Sequence, residues 1–172
     1  AAGRAGDNID YEVLDRHPHD RRSFTQGLEL HNGRLFESTG LYGKSTVRHY
    51  NVAEPQSAVV RNLPDNRFGE GLTILDNRLY QLTWRSQEVY VYEPTGLAPV
   101  DTFKISGDGW GLTNNGRALI YSDGSDRLRF LNPDTRKVEK TLYVTMGGKP
   151  VQQLNELEWI QGSIYANVLP TN

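Results

Sequence analysis

One pattern recurs four times along the chain and limits what it can become. Gln26-Gly27-Leu28-Glu29-Leu30 runs into a turn at Asn32-Gly33 and leaves through residues 34–38. Glu70-Gly71-Leu72-Thr73-Ile74 turns at Asp76-Asn77 and leaves through residues 78–82. Trp110-Gly111-Leu112-Thr113 turns at Asn115-Gly116 and leaves through residues 117–121. Asn155-Glu156-Leu157-Glu158-Trp159 turns at Gln161-Gly162 and leaves through residues 163–166. The aligned leucines, Leu28, Leu72, Leu112 and Leu157, stand 44, 40 and 45 residues apart. The first three units carry a second half. It comprises residues 46–50, a turn through Glu54-Pro55 and a strand at 58–60; residues 88–92, a turn at 93–96 and a strand ending near Phe103; and residues 127–131, a turn at 132–135 and a strand through 142–144. Four short strands recurring every 40–45 residues form the pattern of propeller blades. No stretch sustains a 3.6-residue apolar period, which argues against solenoids of helix pairs. The expected fold is an all-β propeller.

Three repeats are full, and the fourth has only its first two strands by Asn172. Tyr11-Glu12-Val13-Leu14 reads as one extra strand, of the kind that completes a blade begun at the other terminus and so removes an open edge. The expected organisation is a flexible lead over residues 1–10 and a propeller domain over 11–172 with an incomplete C-terminal blade. At 172 residues the chain suits one domain and is too short to close a ring of more than four blades. It has no cysteine, which excludes disulfides and thiolate metal sites. A formal charge of −2 and the lack of any apolar run near 20 residues give no general grip on nucleic acid and no membrane-spanning helix. The Ala1-Ala2-Gly3 start is compatible with signal-peptide cleavage, and equally with a trimmed chain.

The residue before each Gly-Leu or Glu-Leu step holds the same phase in every repeat: Gln26, Glu70, Trp110 and Asn155. A purely structural position would repeat one residue type. An amide, a carboxylate, an indole and a second amide instead suit a small-molecule pocket if the inner strands converge on a common mouth. Four unrelated polar residues at blade edges is the alternative.

Several co-ordered motifs resemble one family. They are Phe24-Thr25-Gln26-Gly27-Leu28, Phe68-Gly69-Glu70-Gly71-Leu72, Gly109-Trp110-Gly111-Leu112, Ser122-Asp123-Gly124-Ser125, and Leu154-Asn155-Glu156-Leu157-Glu158-Trp159 with Tyr165-Ala166-Asn167-Val168. From about Tyr11 to Asn172 the chain resembles the glutamine cyclotransferases, the plant- and bacterial-type glutaminyl cyclases. The resemblance implies a five-bladed propeller, of which this chain covers about four blades. It also implies conversion of N-terminal glutamine in peptides or proteins to pyroglutamate with release of ammonia. Glu70 matches the family's proton-transfer glutamate. Phe24, Gln26, Trp84, Trp110 and Asn155 match substrate-pocket positions. No cofactor is implied for catalysis, although a structural calcium ion can sit in the family's channel. A secreted or periplasmic monomer is implied, unless another chain completes the propeller.

Each position also has a plain structural reading: a glutamate in a surface turn for Glu70, turn-capping amides for Gln26 and Asn155, and blade packing for Trp84. Trp159 reads as core. Two departures stand out. Leu169 occupies a position where the family places a pocket tryptophan, and the family's fifth blade with its pocket lysine is not present after Asn172. They keep open a binding module for peptides or glycans without chemistry. Glu156 and Glu158, two apart on one strand, keep open a glycosidase-like pairing with Glu70. His17-Pro18-His19-Asp20 reads as a solvated loop rather than a metal site, Arg16, Arg21 and Arg22 as charged surface, and Ser122-Asp123-Gly124-Ser125 as a turn.

Overall fold

The structure is a computed structural model that describes residues 2–4 and 12–170, and among these there is no α-helix. The described residues form sixteen strands in four sheets. Sheet one runs β2 (Thr25–His31), β3 (Arg34–Thr39), β4 (Thr46–Asn51), β5 (Glu54–Asn62). Sheet two repeats the order with β6 (Gly69–Leu75), β7 (Arg78–Thr83), β8 (Glu88–Tyr92), β9 (Pro99–Lys104). Sheet three runs β10 (Leu112–Asn114), β11 (Leu119–Ser122), β12 (Arg127–Leu131), β13 (Val138–Met146), with β14 (Lys149–Pro150) paired to β13. β15 (Leu154–Ile160) and β16 (Ser163–Val168) form sheet four.

The turns follow from their residues. In Asn32-Gly33, Asp76-Asn77 and Gln161-Gly162 both residues have positive φ, the two-residue geometry whose twist suits antiparallel strands. The turn expected at Glu54-Pro55 lies earlier: Asn51 pairs with Glu54, and the Asn51 side chain accepts the Ala53 amide. Pro55 is accommodated inside β5 because that strand is the outer edge, where a missing N–H leaves no partner unsatisfied. The extra strand expected at residues 11–14 does not form over Glu12–Leu14, and Tyr11 lies outside the described residues. Instead β1 (Ala2–Arg4) adds parallel to β13. The expected lead over residues 1–10 otherwise lies outside the described residues.

The repeat residues divide their work by face. Leu72 and Ile74 pack with Phe36 and Val47 of sheet one, Leu112 with Leu82 and Val89 of sheet two, and Leu157 with Ile120 and Leu128 of sheet three. Each inner-strand leucine thus keys into the preceding sheet, and full burial of such a side chain contributes about 1.5–3 kcal/mol. Leu28 and Leu30, at the same phases in sheet one, are 40% and 67% exposed.

The glycines face the following sheet. A Cβ on Gly27 would stand 2.7 Å from the Leu72 amide nitrogen, one on Gly71 2.4 Å from that of Leu112, and one on Gly111 2.0 Å from the Asn155 carbonyl oxygen. Inner strands β2, β6, β10 and β15 therefore meet backbone to backbone, and the Gly71 amide donates across one such seam to Trp110 O at 2.7 Å.

Polar groups lock the sheets as well. Gln81, fully buried, donates from Nε2 to Ser38 Oγ at 2.7 Å, joining sheets two and one. Within sheet one the wholly buried Glu37 accepts Arg48 Nε at 2.7 Å and Thr25 Oγ1 at 2.5 Å, and meets His19 Nε2 at 2.9 Å. His19 is thereby held by a carboxylate rather than shared with His17, which lies against Asp15. Removing one partner of a buried ion pair strands the other, so Arg48→Met is expected to cost about 3–5 kcal/mol in urea unfolding. The double variant Arg48→Met with Glu37→Leu should recover much of that loss; equal losses would show that the pair is not what holds this region.

Candidate active site

Three of the four X-Gly or X-Glu steps sit in β-bulges. Pairing shifts register between Thr25 and Gly27, between Gly69 and Leu72, and between Leu154 and Leu157, which places Gln26, Glu70 and Asn155 at irregular points. A bulge leaves a residue out of the ladder and re-aims its side chain. In the third repeat Trp110 and Gly111 precede β10 and bridge to β11 through Trp110 N to Ser122 O and Ser122 N to Gly111 O. The glycine contacts then set the four steps side by side, Gly27 on Gly71, Gly71 on Gly111, and Gly111 on Asn155 and Glu156. The backbone thus gathers the four sequence positions along one seam.

Glu70 is 7% exposed and makes no side-chain hydrogen bond among the described residues. Burial, with a smaller push from the negative charge of Asp108, drives its carboxyl up to about 9. It is therefore protonated and neutral at pH 7. The plain reading of Glu70 as a turn glutamate is excluded by this burial.

Trp110 is half-buried, and its Nε1 is sealed from solvent without a partner. Gly124, at φ 78°, lies beneath its ring, where a Cβ would come within 2.6 Å of the indole. Residues 123–125 do form a turn, but one that shapes the Trp110 seat. Asp123 stabilises it by binding Arg129 at 2.6 Å and the Ser125 amide and hydroxyl. Burial pushes the Asp123 carboxyl up, yet these donors hold it below the usual range. Ser122 Oγ accepts the Gly111 amide and donates to Asn155 O, each at 2.7 Å, tying the third step to the fourth. No triad follows from this serine, because both of its bonds are to backbone.

Phe24 and Trp84 meet a residue that reading by repeat phase passed over. Phe68, two positions before Glu70, has ring-centroid distances of 6.2 Å to Phe24 and 5.6 Å to Trp84, both edge-on. Phe24 is 49% exposed, so it borders the site from outside. Arg85 stacks over Trp84 at 4.2 Å.

Three further acids were missed or differently placed. Asp108 acts on Glu70 from the loop before Trp110, and its only sequence signal is that adjacency. Glu156 replaces the repeat glycine. Part of its stem is accessible, but both carboxyl oxygens are buried without hydrogen-bond partners. Burial, then the charge of Glu70, raises its carboxyl well above the usual range. A sealed carboxyl does not suit the water- or sugar-facing role of a glycosidase acid. Glu158 lies elsewhere, in a cavity of about 610 Å³ lined by Glu29, Thr113, Asn114 and Trp159. Both acids there are raised, chiefly by burial. Trp159 also packs against the core shared by sheets three and four, as expected. Among the described residues no three His, Asp or Glu side chains come together as a metal site.

The comparisons with known proteins bear on this arrangement. The sequence pattern described as glutamine cyclotransferase matches residues 2–172. The chain belongs to the glutamine cyclotransferase family. It is 43% identical over 159 residues to a protein of Arabidopsis thaliana named glutaminyl-peptide cyclotransferase, covering 91% of this chain and 50% of that one. The chain thus spans about half the length of that relative. The crystal structure of Myxococcus xanthus glutaminyl cyclase superimposes with a TM-score of 0.82 at 35% identity, over 92% of this chain and 67% of the other. The WD40 repeats of RRP9 match at a TM-score of 0.58 and 15% identity, over 83% of this chain and 44% of that one, a likeness of fold alone. A propeller-like, all-β family fold accommodates the four sheets.

Proposed function

We propose that this chain carries the proton-transfer centre of a glutaminyl-peptide cyclotransferase, with Glu70 as its acid–base group. The observation that carries the reading is a buried carboxyl at about 9 with no hydrogen-bond partner among the described residues, set in a bulge whose backbone meets the Gln26-Gly27 and Trp110-Gly111 steps. The substrate's α-amine ordinarily titrates at about 7.7–8.0. The proton affinities of carboxyl and amine are therefore close, which makes transfer in either direction cheap.

The steps balance as follows. The neutral amine attacks its own side-chain carbonyl, forming the ring C–N bond and placing negative charge on the oxygen. Glu70, protonated at the outset, gives its proton to the departing nitrogen, and the carboxylate so formed takes the proton shed by the attacking nitrogen as the old C–N bond breaks and ammonia leaves, which restores the carboxyl. Gln26 and Asn155 supply amide donors suited to the oxygen or to orienting the carboxamide, where fixed donors lower the barrier. Trp110, Trp84 and Phe24 wall the site and shed water.

The reading extends to architecture and setting. The exposed Leu28 and Leu30, whose counterparts are buried by a preceding sheet, support a further sheet beside sheet one, as in a five-bladed ring. Leu169 is 36% exposed, so a smaller side chain borders the position of the family's tryptophan. A secreted or periplasmic monomer acting on N-terminal glutamine completes the proposal.

Ammonia release from a Gln-initiated dipeptide tests it, and the pH profile gives the sharper form. The productive complex holds one proton between amine and Glu70. The expected kcat/KM therefore rises as the amine deprotonates near pH 8 and falls as free Glu70 ionises near pH 9. Dipeptide binding without ammonia release would instead favour a non-catalytic peptide-binding propeller.

A further inference from the structure

The turn between β3 and β4 is built at a cost that the fold does not explain. Leu41 has φ 80°, a conformation that a branched side chain rarely adopts and that costs about 1–3 kcal/mol. Four hydrogen bonds hold it there: Gly40 N to Phe24 O at 2.8 Å, Gly43 N to Asp65 O at 2.9 Å, Lys44 N to Leu41 O at 3.0 Å, and Ser45 Oγ to Leu41 O at 2.8 Å. The result is to hold Tyr42 in solvent, 53% exposed, beside Leu41 at 37%. Glycine at 41 and a polar residue at 42 would be the more stable choice for a bare turn.

Tyr42 does not stand alone. Its ring lies edge-on to Phe68 with centroids 5.5 Å apart, and Phe68 in turn meets Trp84 at 5.6 Å. Gly40 lets the Phe68 ring in, since a Cβ there would overlap it at 2.3 Å. A row of rings therefore starts two residues from Glu70 and runs outward to a half-exposed tyrosine. A row of this kind is a rigid apolar surface with little side-chain entropy left to lose. The ring-to-ring step from Phe68 to Tyr42, 5.5 Å between centroids, lies within the reach of two extended residues at about 3.3–3.6 Å each.

We propose that Tyr42, held outward by the turn at Leu41, forms the subsite for the second residue of the substrate peptide, favouring a large apolar or aromatic side chain. The assignment rests on the cyclotransferase reading, because it takes the N-terminal glutamine to lie at Glu70. The occupant follows from continuity. Phe68 stands two residues before Glu70, and a peptide that leaves Glu70 along this row next meets Tyr42.

The test compares Gln-Phe-amide with Gln-Gly-amide, by ammonia release and by tryptophan fluorescence on binding. The chain is expected to prefer Gln-Phe-amide about tenfold in kcat/KM, with the difference carried by KM. Tyr42→Ala should bring that ratio to within about twofold of unity, while Leu41→Gly, which relieves the backbone but keeps the tyrosine, should preserve it. Equal turnover of both peptides by the unaltered chain overturns the subsite and leaves the cyclotransferase reading standing. A Tyr42-dependent binding preference without ammonia release supports the subsite and overturns the catalytic reading. A preference that survives Tyr42→Ala overturns the subsite.

Discussion

Glu70→Gln is expected to lower kcat for ammonia release by about 10²–10⁴, the range associated with loss of a positioned acid–base group. The same substitution is expected to stabilise the fold, and the sign follows from proton linkage. The folded protein binds the Glu70 proton more tightly than the unfolded chain, whose carboxyl titrates near 4.5, while the folded one titrates at about 9. Between those values the native state carries the extra proton, so stability falls as pH rises through the window. Glutamine carries no such proton. The Tm of the variant should match that of the parent near pH 4 and exceed it progressively toward pH 9. By pH 8 the gain is of order a few kcal/mol, at roughly 2–4 °C per kcal/mol for a chain of this size. Thermal unfolding across pH, alongside ammonia release, checks both halves. A variant that loses stability at pH 8 would show that Glu70 is held by partners as a charged group, and would remove it as a carboxyl poised near the amine.

The second large effect lies in the seam that assembles the site. A Cβ on Gly111 would meet Asn155 O at 2.0 Å, Glu156 Cα at 2.6 Å and Asn155 C at 2.7 Å, all of them main chain or Cα atoms that cannot rotate away. Gly111→Ala has to part β10 from β15, and with them the Ser122 bridge that binds both steps. The expected cost exceeds about 3 kcal/mol in urea unfolding, at the upper end for overpacking. Because Asn155 moves with β15, binding of Gln-initiated peptides should weaken even where the variant folds. Gly116→Ala is the control. Its φ is 80° but nothing lies within 4 Å of the added carbon, so only the conformational cost of about 1–2 kcal/mol applies. Equal losses for the two variants would defeat the idea that the glycine repeat exists for close contact between strands.

The seam between the repeat steps was legible because the step residues share a repeat phase. Gln26, Glu70, Trp110 and Asn155 are adjacent in space for the reason that they are aligned in sequence: each precedes the contact that joins one sheet to the next. Phe24 and Trp84, outside that phase, were reached through resemblance, and they meet at Phe68. Phe68 shares its phase with Phe24, 44 residues earlier, but the three rings it gathers come from separate loops. The influence of Asp108 on Glu70, and of Glu70 on Glu156, was invisible because electrostatic influence depends on spatial distance and burial rather than sequence separation. The turn at residues 51–54 was placed too late because proline usually marks a turn, whereas an outer edge strand tolerates it.

Short-range sterics therefore determined a large share of this protein from sequence alone. Alternating strands, the two-residue turns at Asn32-Gly33, Asp76-Asn77 and Gln161-Gly162, and the four-sheet repeat all follow from local backbone preference and spacing. Tertiary structure decided what identical local sequence left open. Leu28 and Leu72 stand at one phase of one motif, yet the first is 40% exposed and the second 1%. The difference is the presence or absence of a preceding sheet among the described residues. The proton affinity of Glu70 was decided in the same way. A carboxyl's ordinary value belongs to the residue, but its displacement to about 9 belongs to the sheets that exclude water around it.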